Sequence, residues 1–282
     1  MDYSLPLDQQ IARQYLQFLF KENKEDCIEN RHAFCDDSGI HPKFLYFNPH
    51  MKAVTQLTTS QSNLERLENM NLREYMMYHY YFIHQAYRYG APEQQQKWLG
   101  RPIVKSPFDC WIYQEILSEI KPDIVLELGV LFGGGTRFFA SLLDLIGHGQ
   151  LLGVDVSLDK VTDLKHPRVT FIEGSSTSEE TFQKVRKVIE GKKIVVIADS
   201  DHEKRHVQRE VELYAPFVPV GSYFVVEDSV NDVMGHHPVP NEGPQAAAKN
   251  YLLKNNDFVA DRRWAERYIL SLNPDGYLRR VK

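Results

Sequence analysis

Residues 124–155 read IVLELGVLFGGGTRFFASLLDLIGHGQLLGVD. The stretch opens with the branched apolar run Ile124-Val125-Leu126, preceded by Pro122 and ending in Glu127. That is the pattern of a strand buried on both faces, as parallel strands are. Four glycines follow, Gly129, Gly133, Gly134 and Gly135. Phe138, Phe139, Leu142, Leu143 and Ile146 then recur at helical spacing, and Gly147 and Gly149 stop the helix. A second apolar run, Leu151-Leu152-Gly153-Val154, ends in Asp155. The unit is strand, glycine loop, helix, strand, with an acid at the tip of each strand.

In an open parallel sheet a ligand sits beyond the carboxyl ends of the strands. Glycine lets backbone approach it closely, and a carboxylate at the second tip accepts bonds from ribose hydroxyls. A cofactor containing a nucleoside is therefore expected. The dinucleotide spacing G-x-G-x-x-G is absent, since three non-glycine residues follow Gly129. The spacing E-x-G-x-x-x-G-G instead resembles the first motif of S-adenosylmethionine-dependent methyltransferases, with Gly129, Gly133 and Gly134 against the cofactor. The plainer alternative is a glycine-rich turn in some other α/β enzyme.

The chain has 282 residues, enough for one large α/β domain and an extension. Its net charge of -5 comes with no concentrated basic stretch, which argues against a nucleic-acid partner. No apolar run nears the ~20 residues that span a bilayer. The start, MDYSLPLDQQ, has neither the basic stretch nor the apolar core of a signal peptide. Cys27, Cys35 and Cys110 lack metal-ligand spacing and read as reduced thiols, so a cytoplasmic protein is expected.

Residues 1–22 predict a helix with Ile11, Tyr15, Phe18 and Leu19 on one face and Asp8 as cap. Residues 23–58 read as loop with a short strand at 44–47, and 61–89 as one or two helices rich in Tyr and Met. The expected N-terminal helical extension, 1–95, would cover the active site or make a subunit contact in a homo-oligomer. Residues 98–107 read as loop. A helix from Asp109 to Ile120 follows, with Trp111, Ile112, Glu115, Ile116 and Glu119 as its spaced positions. Lys105 lies just before it, near the expected methionine end of the cofactor. Strands are predicted at 169–172, 194–198, 223–226, 258–260 and 267–272, with helices at 178–190, 203–214 and 244–254. The alternation predicts a doubly wound, mostly parallel, seven-stranded Rossmann-like sheet over residues 96–282.

Asp199 ends one strand, and Glu227 and Asp228 end the next. Clustered carboxylates repel unless a cation sits between them, and oxygen ligands favour Mg²⁺, Ca²⁺ or Mn²⁺. The plainer alternative is that such acids cap helices or face solvent.

The combination IVLELGVLFGGG, LLGVDV, IADSDH, GSYFVVED and NPDGYLRR resembles the cephalosporin hydroxylase family. Its members are similar to Mg²⁺- and S-adenosylmethionine-dependent O-methyltransferases, including rhamnosyl O-methyltransferases, and are related to macrolide-sugar enzymes. The resemblance covers roughly residues 96–282. It implies Asp199, Glu227 and Asp228 as metal ligands, and Glu127, Gly129, Asp155 and Ser175 as cofactor contacts. Asp199 and Lys105 would also border the cofactor. His202 stands where related catechol-type enzymes hold a basic lysine, and an imidazole suits a general base near neutrality. Lys105 is the second candidate base. Gly135 departs from the serine that relatives often carry.

The expected reaction is methyl transfer to a hydroxyl of a sugar or glycosylated small molecule, one with adjacent hydroxyls. Residues 229–243, including His236 and His237, and the N-terminal extension are expected to select it. Rival readings are a nicotinamide-dependent oxidoreductase, a divalent-metal hydrolase and a non-catalytic S-adenosylmethionine-binding module.

Overall fold

The structure, a computed structural model, describes residues 77, 80, 81, 95–234, 242–268 and 270–282. The expected elements in 1–58, most of 61–89, Cys27, Cys35, His236 and His237 lie outside the described residues. Two compact units divide the chain, Met1–Gln95 and Gln96–Lys282.

The second unit opens with a hairpin, β1 (Lys97–Trp98) and β2 (Arg101–Pro102), where the sequence predicts loop. Its turn residues Leu99 and Gly100 both take positive φ, 46° and 83°. This twist suits a two-residue hairpin. Helix α1 (Pro107–Ile120) starts on Ser106, whose side chain accepts the Asp109 N–H, with Pro107 in the first turn. Its buried face is Ile112, Tyr113, Ile116 and Leu117. Of the other spaced positions, Trp111 donates to Glu115 at 3.1 Å on the solvent side, and Glu119 is exposed.

The chain continues through β3 (Ile124–Leu128), α2 (Gly134–Ile146), β4 (Gln150–Asp155), β5 (Val169–Glu173), α3 (Glu179–Ile189), β6 (Ile194–Ala198), α4 (Lys204–Tyr214) and β7 (Tyr223–Val226). Then come α5 (Val230–Met234), α6 (Pro244–Lys254), β8 (Phe258–Ala260), α7 (Arg262–Arg267) and β9 (Tyr277–Arg280). Seven strands form one sheet in the order β5-β4-β3-β6-β7-β9-β8. The pairs from β5 to β7 are parallel, and β9 runs antiparallel to both neighbours. Every residue of β3, β6 and β7 is buried, as a sheet covered on both faces requires.

Two apolar clusters cover the sheet. Leu126, Val196 and Phe224 point to one with α3, α4 and α6, while Val125, Ile197 and Val225 point to the other with α1, α2 and α7. The strand order reverses between β3 and β6, so the ligand crevice belongs at the carboxyl ends of those strands.

The predicted strand at 267–272 is not a strand. Its Ser271 hydroxyl and Leu272 N–H are taken by the Asp109 carboxylate at 2.6 and 2.9 Å. The free edge of β7 is filled instead by Tyr277–Arg280. No helix among the described residues is long and apolar enough to cross a membrane.

Candidate active site

The acid tips meet at this switch point. The β3–α2 loop leaves β3 at Gly129, which has φ 94°. A Cβ there would lie 2.0 Å from the Asp199 carbonyl oxygen, so only glycine lets the loop cross the tip of β6. Asp155 holds the same loop. Its Oδ2 accepts the Val130 and Leu131 N–H groups at 2.7 and 2.9 Å, and Oδ1 accepts Ser157 N–H at 3.2 Å. A carboxylate accepts about four bonds, so Oδ1 retains accepting capacity. Gly133 and Gly134 begin α2 beside it, and Ser175 follows β5 at the neighbouring tip.

Glu127 is buried and accepts Thr136 Oγ1 at 2.5 Å. Burial is the main force pushing its carboxyl up to about 7, with Lys105 and Thr136 opposing. Lys105, only 4% exposed, reaches into the acids. Its Nζ lies 2.9 Å from Asp199 Oδ2 and 2.7 Å from Glu227 Oε1. Burial works against this ammonium, but Asp199, Glu227 and Glu127 more than offset it and hold its pKa well above the ordinary value. A fully charged, doubly paired ammonium is a counter-ion and not a base, which differs from the catalytic role considered for Lys105. For Asp199, burial is outweighed by Lys105 and His202, and its pKa falls. Glu227 moves the other way, driven by burial and by the charge on Asp199.

Asp199, His202 and Asp228 each present a ligand atom, all within 4.8 Å of one another. His202 Nε2 lies 3.3 Å from Asp228 Oδ2. The two carboxylates fit a divalent cation that keeps several waters, with the imidazole beside it. Glu227, expected as a ligand, lies outside this cluster. Its Oε1 accepts Lys105 and the Tyr113 hydroxyl, the latter at 2.7 Å. Asp228 has φ 53° and donates its N–H to Asn273 Oδ1 at 2.9 Å.

Tyr113 and Asn273 were not singled out in the sequence. Their signals are modest: Tyr113 lies within the helical pattern, and Asn273 opens an N-P-D-G turn. A further cluster braces the neighbouring loops. Buried Glu210 Oε1 accepts Ser176 Oγ at 2.5 Å and Ser200 Oγ at 2.6 Å.

A seven-stranded, mostly parallel sheet with its acids gathered at the switch point is the frame of a methyltransferase. The comparisons specify which kind. The family described as Rhamnosyl O-methyltransferase/CmcI matches residues 92–281. A rhamnosyl O-methyltransferase of Mycobacterium bovis (strain BCG / Pasteur 1173P2) is 37% identical over 191 residues, covering 64% of this chain and 76% of that protein. One from Mycobacterium leprae (strain TN) is 38% identical over 160 residues, covering 55% and 69%. Among solved structures, apo CmcI aligns with TM-score 0.54 and 21% identity over 68% of this chain and 78% of its own. CmcI with Mg and SAM aligns with TM-score 0.52 and 24% identity over 66% and 77%. The chain belongs to the rhamnosyl O-methyltransferase/CmcI family and is an O-methyltransferase.

Proposed function

We propose that the protein transfers the methyl group of S-adenosylmethionine to a hydroxyl of a sugar or glycosylated small molecule, with Mg²⁺ at Asp199 and Asp228 and His202 as general base. The observation that carries this reading is the Asp199–His202–Asp228 cluster beside the glycine loop at the switch point. The rhamnosyl relatives support a sugar acceptor. When bound, S-adenosylmethionine supplies an electrophilic methyl group and Mg²⁺ a Lewis acid for the acceptor hydroxyl.

The chain's own residues do the rest. The Glu127–Gly135 loop seats the donor, with Asp155 on its ribose and Ser175 at the neighbouring strand tip. Asp199 and Asp228 would hold the cation, and an acceptor with adjacent hydroxyls suits a site of this kind. His202 Nε2 lies 3.3 Å from Asp228 Oδ2, and in this reading its imidazole takes the hydroxyl proton. Holding oxygen and methyl carbon in line removes much of the entropic barrier. Lys105 keeps Glu227 and Asp199 compatible as neighbours. Residues 1–95 serve assembly or act as a lid and do no chemistry.

The test is turnover on a pool of sugar glycosides with labelled S-adenosylmethionine. EDTA should abolish turnover and Mg²⁺ restore it. His202→Ala should lower turnover by about 10²–10⁴-fold while Mn²⁺ affinity stays within a few-fold. Activity after exhaustive chelation would sink the metal reading. If His202→Ala instead loses the ion, His202 is a ligand and the base lies elsewhere.

A further inference from the structure

We propose that Asn273 is the positioning residue of the acid pair Glu227–Asp228, acting on both acids through the two ends of one amide. The inference rests on the metal reading above. Asn273 is 2% exposed and lies in the turn before β9. Its Oδ1 accepts the backbone N–H of Asp228 at 2.9 Å. Its Nδ2 donates to the Tyr113 hydroxyl at 2.9 Å, and that hydroxyl donates to Glu227 Oε1 at 2.7 Å.

Asp228 needs such a partner. Its φ of 53° is a left-handed backbone for a residue with a side chain, and surroundings must hold it there. The turned backbone sends successive carboxylates in different directions. Glu227 points to Lys105 and Tyr113, while Asp228 points to His202 and Asp199.

A side-chain amide offers an acceptor and a donor in one rigid plane at this reach. Serine and alanine are too short to touch both partners. Aspartate keeps the acceptor for Asp228 N–H but has no donor for Tyr113. It would draw the Tyr113 proton to itself, away from Glu227. The turn that carries Asn273 is anchored separately. Ser229 Oγ donates to Pro274 O at 2.7 Å, Val230 N to Leu272 O at 3.0 Å and Val226 N to Gly276 O at 2.8 Å. Loss of the amide should therefore disturb the acids and leave the turn docked.

The experiment titrates Mn²⁺ alone into the full chain and reads free Mn²⁺ by electron paramagnetic resonance. Asn273→Ala should weaken Mn²⁺ about 10- to 100-fold, the usual effect of losing a partner that orients a ligand. Asn273→Leu, which keeps the shape of the side chain but neither polar end, should weaken it at least about tenfold and serves if the alanine variant does not fold. Ser229→Ala, which removes a turn anchor only, should bind Mn²⁺ as the wild type does. S-adenosylmethionine affinity, measured by calorimetry, should be nearly unchanged in all three. Wild-type affinity for Mn²⁺ in a folded Asn273 variant would overturn the proposal. So would an equal loss in Ser229→Ala, which would reduce Asn273 to a turn anchor. A wild type that does not bind Mn²⁺ would instead overturn the metal reading beneath it.

Discussion

Glu127 is a carboxyl placed where charge is costly, and this has a measurable consequence. Burial first, then Asp199 and Asp155, raise its pKa to about 7 from an ordinary 4.5, against Lys105 and Thr136. The folded chain therefore holds more protons than the unfolded chain between those two values. Stability present below pH 4.5 is lost as pH rises through 7, by on the order of 3 kcal/mol at most. Glu127→Gln keeps an acceptor for Thr136 and removes the ionisation. In metal-free protein the variant should match the wild type near pH 4.5, gain on it up to about pH 7 and hold that gain at pH 8. Urea denaturation at four pH values measures this, and parallel curves would refute the placement of the shift. The acids themselves were legible in the sequence because each closes an apolar run. Their partners were not. Tyr113 and Glu227 are 114 residues apart, and Asn273 and Tyr113 are 160 apart. Contacts at that range come from the sheet order, which no local pattern encodes.

At the scale of elements, the glycine loop is the most constrained piece. Gly129→Ala would add a Cβ 2.0 Å from the Asp199 carbonyl, at a backbone with φ 94°. Neither partner can yield easily, because the Asp199 N–H is itself bound to Leu128 O at 2.8 Å and Gly129 N–H to Val154 O at 2.8 Å. The expected cost is about 3 kcal/mol or more, combining overpacking with the strained backbone. Calorimetric unfolding should show it as a lowered Tm, with S-adenosylmethionine binding weakened together with Mn²⁺ binding. An unchanged Tm would mean that the two tips are not in contact. The strands from β3 to β7 were readable because each is a short apolar run between punctuating residues. The strand at 258–260 was readable too, as β8, but β9, which pairs antiparallel with β7, was not. Residues 267–272 carry strand-like residues, but Asp109 claims their polar groups and the N-P-D-G turn delays the strand to Tyr277. The β1–β2 hairpin also escaped notice, since strands of two residues leave no periodicity.

At the scale of the whole molecule, the two apolar clusters on the faces of the sheet draw, among the described residues, on Trp98 and those after it. The boundary between the compact units falls at Gln95–Gln96, just before the first strand. Gln96 O accepts the Ile103 N–H at 3.0 Å, so the second unit fastens its own start. A sheet of seven strands covered on both sides holds enough apolar surface to fold alone, and its size is ordinary for a domain. A chain beginning at Pro92 is therefore expected to unfold cooperatively. It should bind S-adenosylmethionine within a few-fold of the full chain, because every residue proposed to touch the donor lies in the second unit. Turnover on the sugar acceptor is expected to fall further than binding does, if residues 1–95 act as lid or subunit contact. Circular dichroism establishes whether the shortened chain is folded, and calorimetry then measures the donor. A folded chain that does not bind S-adenosylmethionine would show that the first unit helps build the site. Full turnover in the shortened chain would show instead that the first unit neither closes over the acceptor nor assembles the active form.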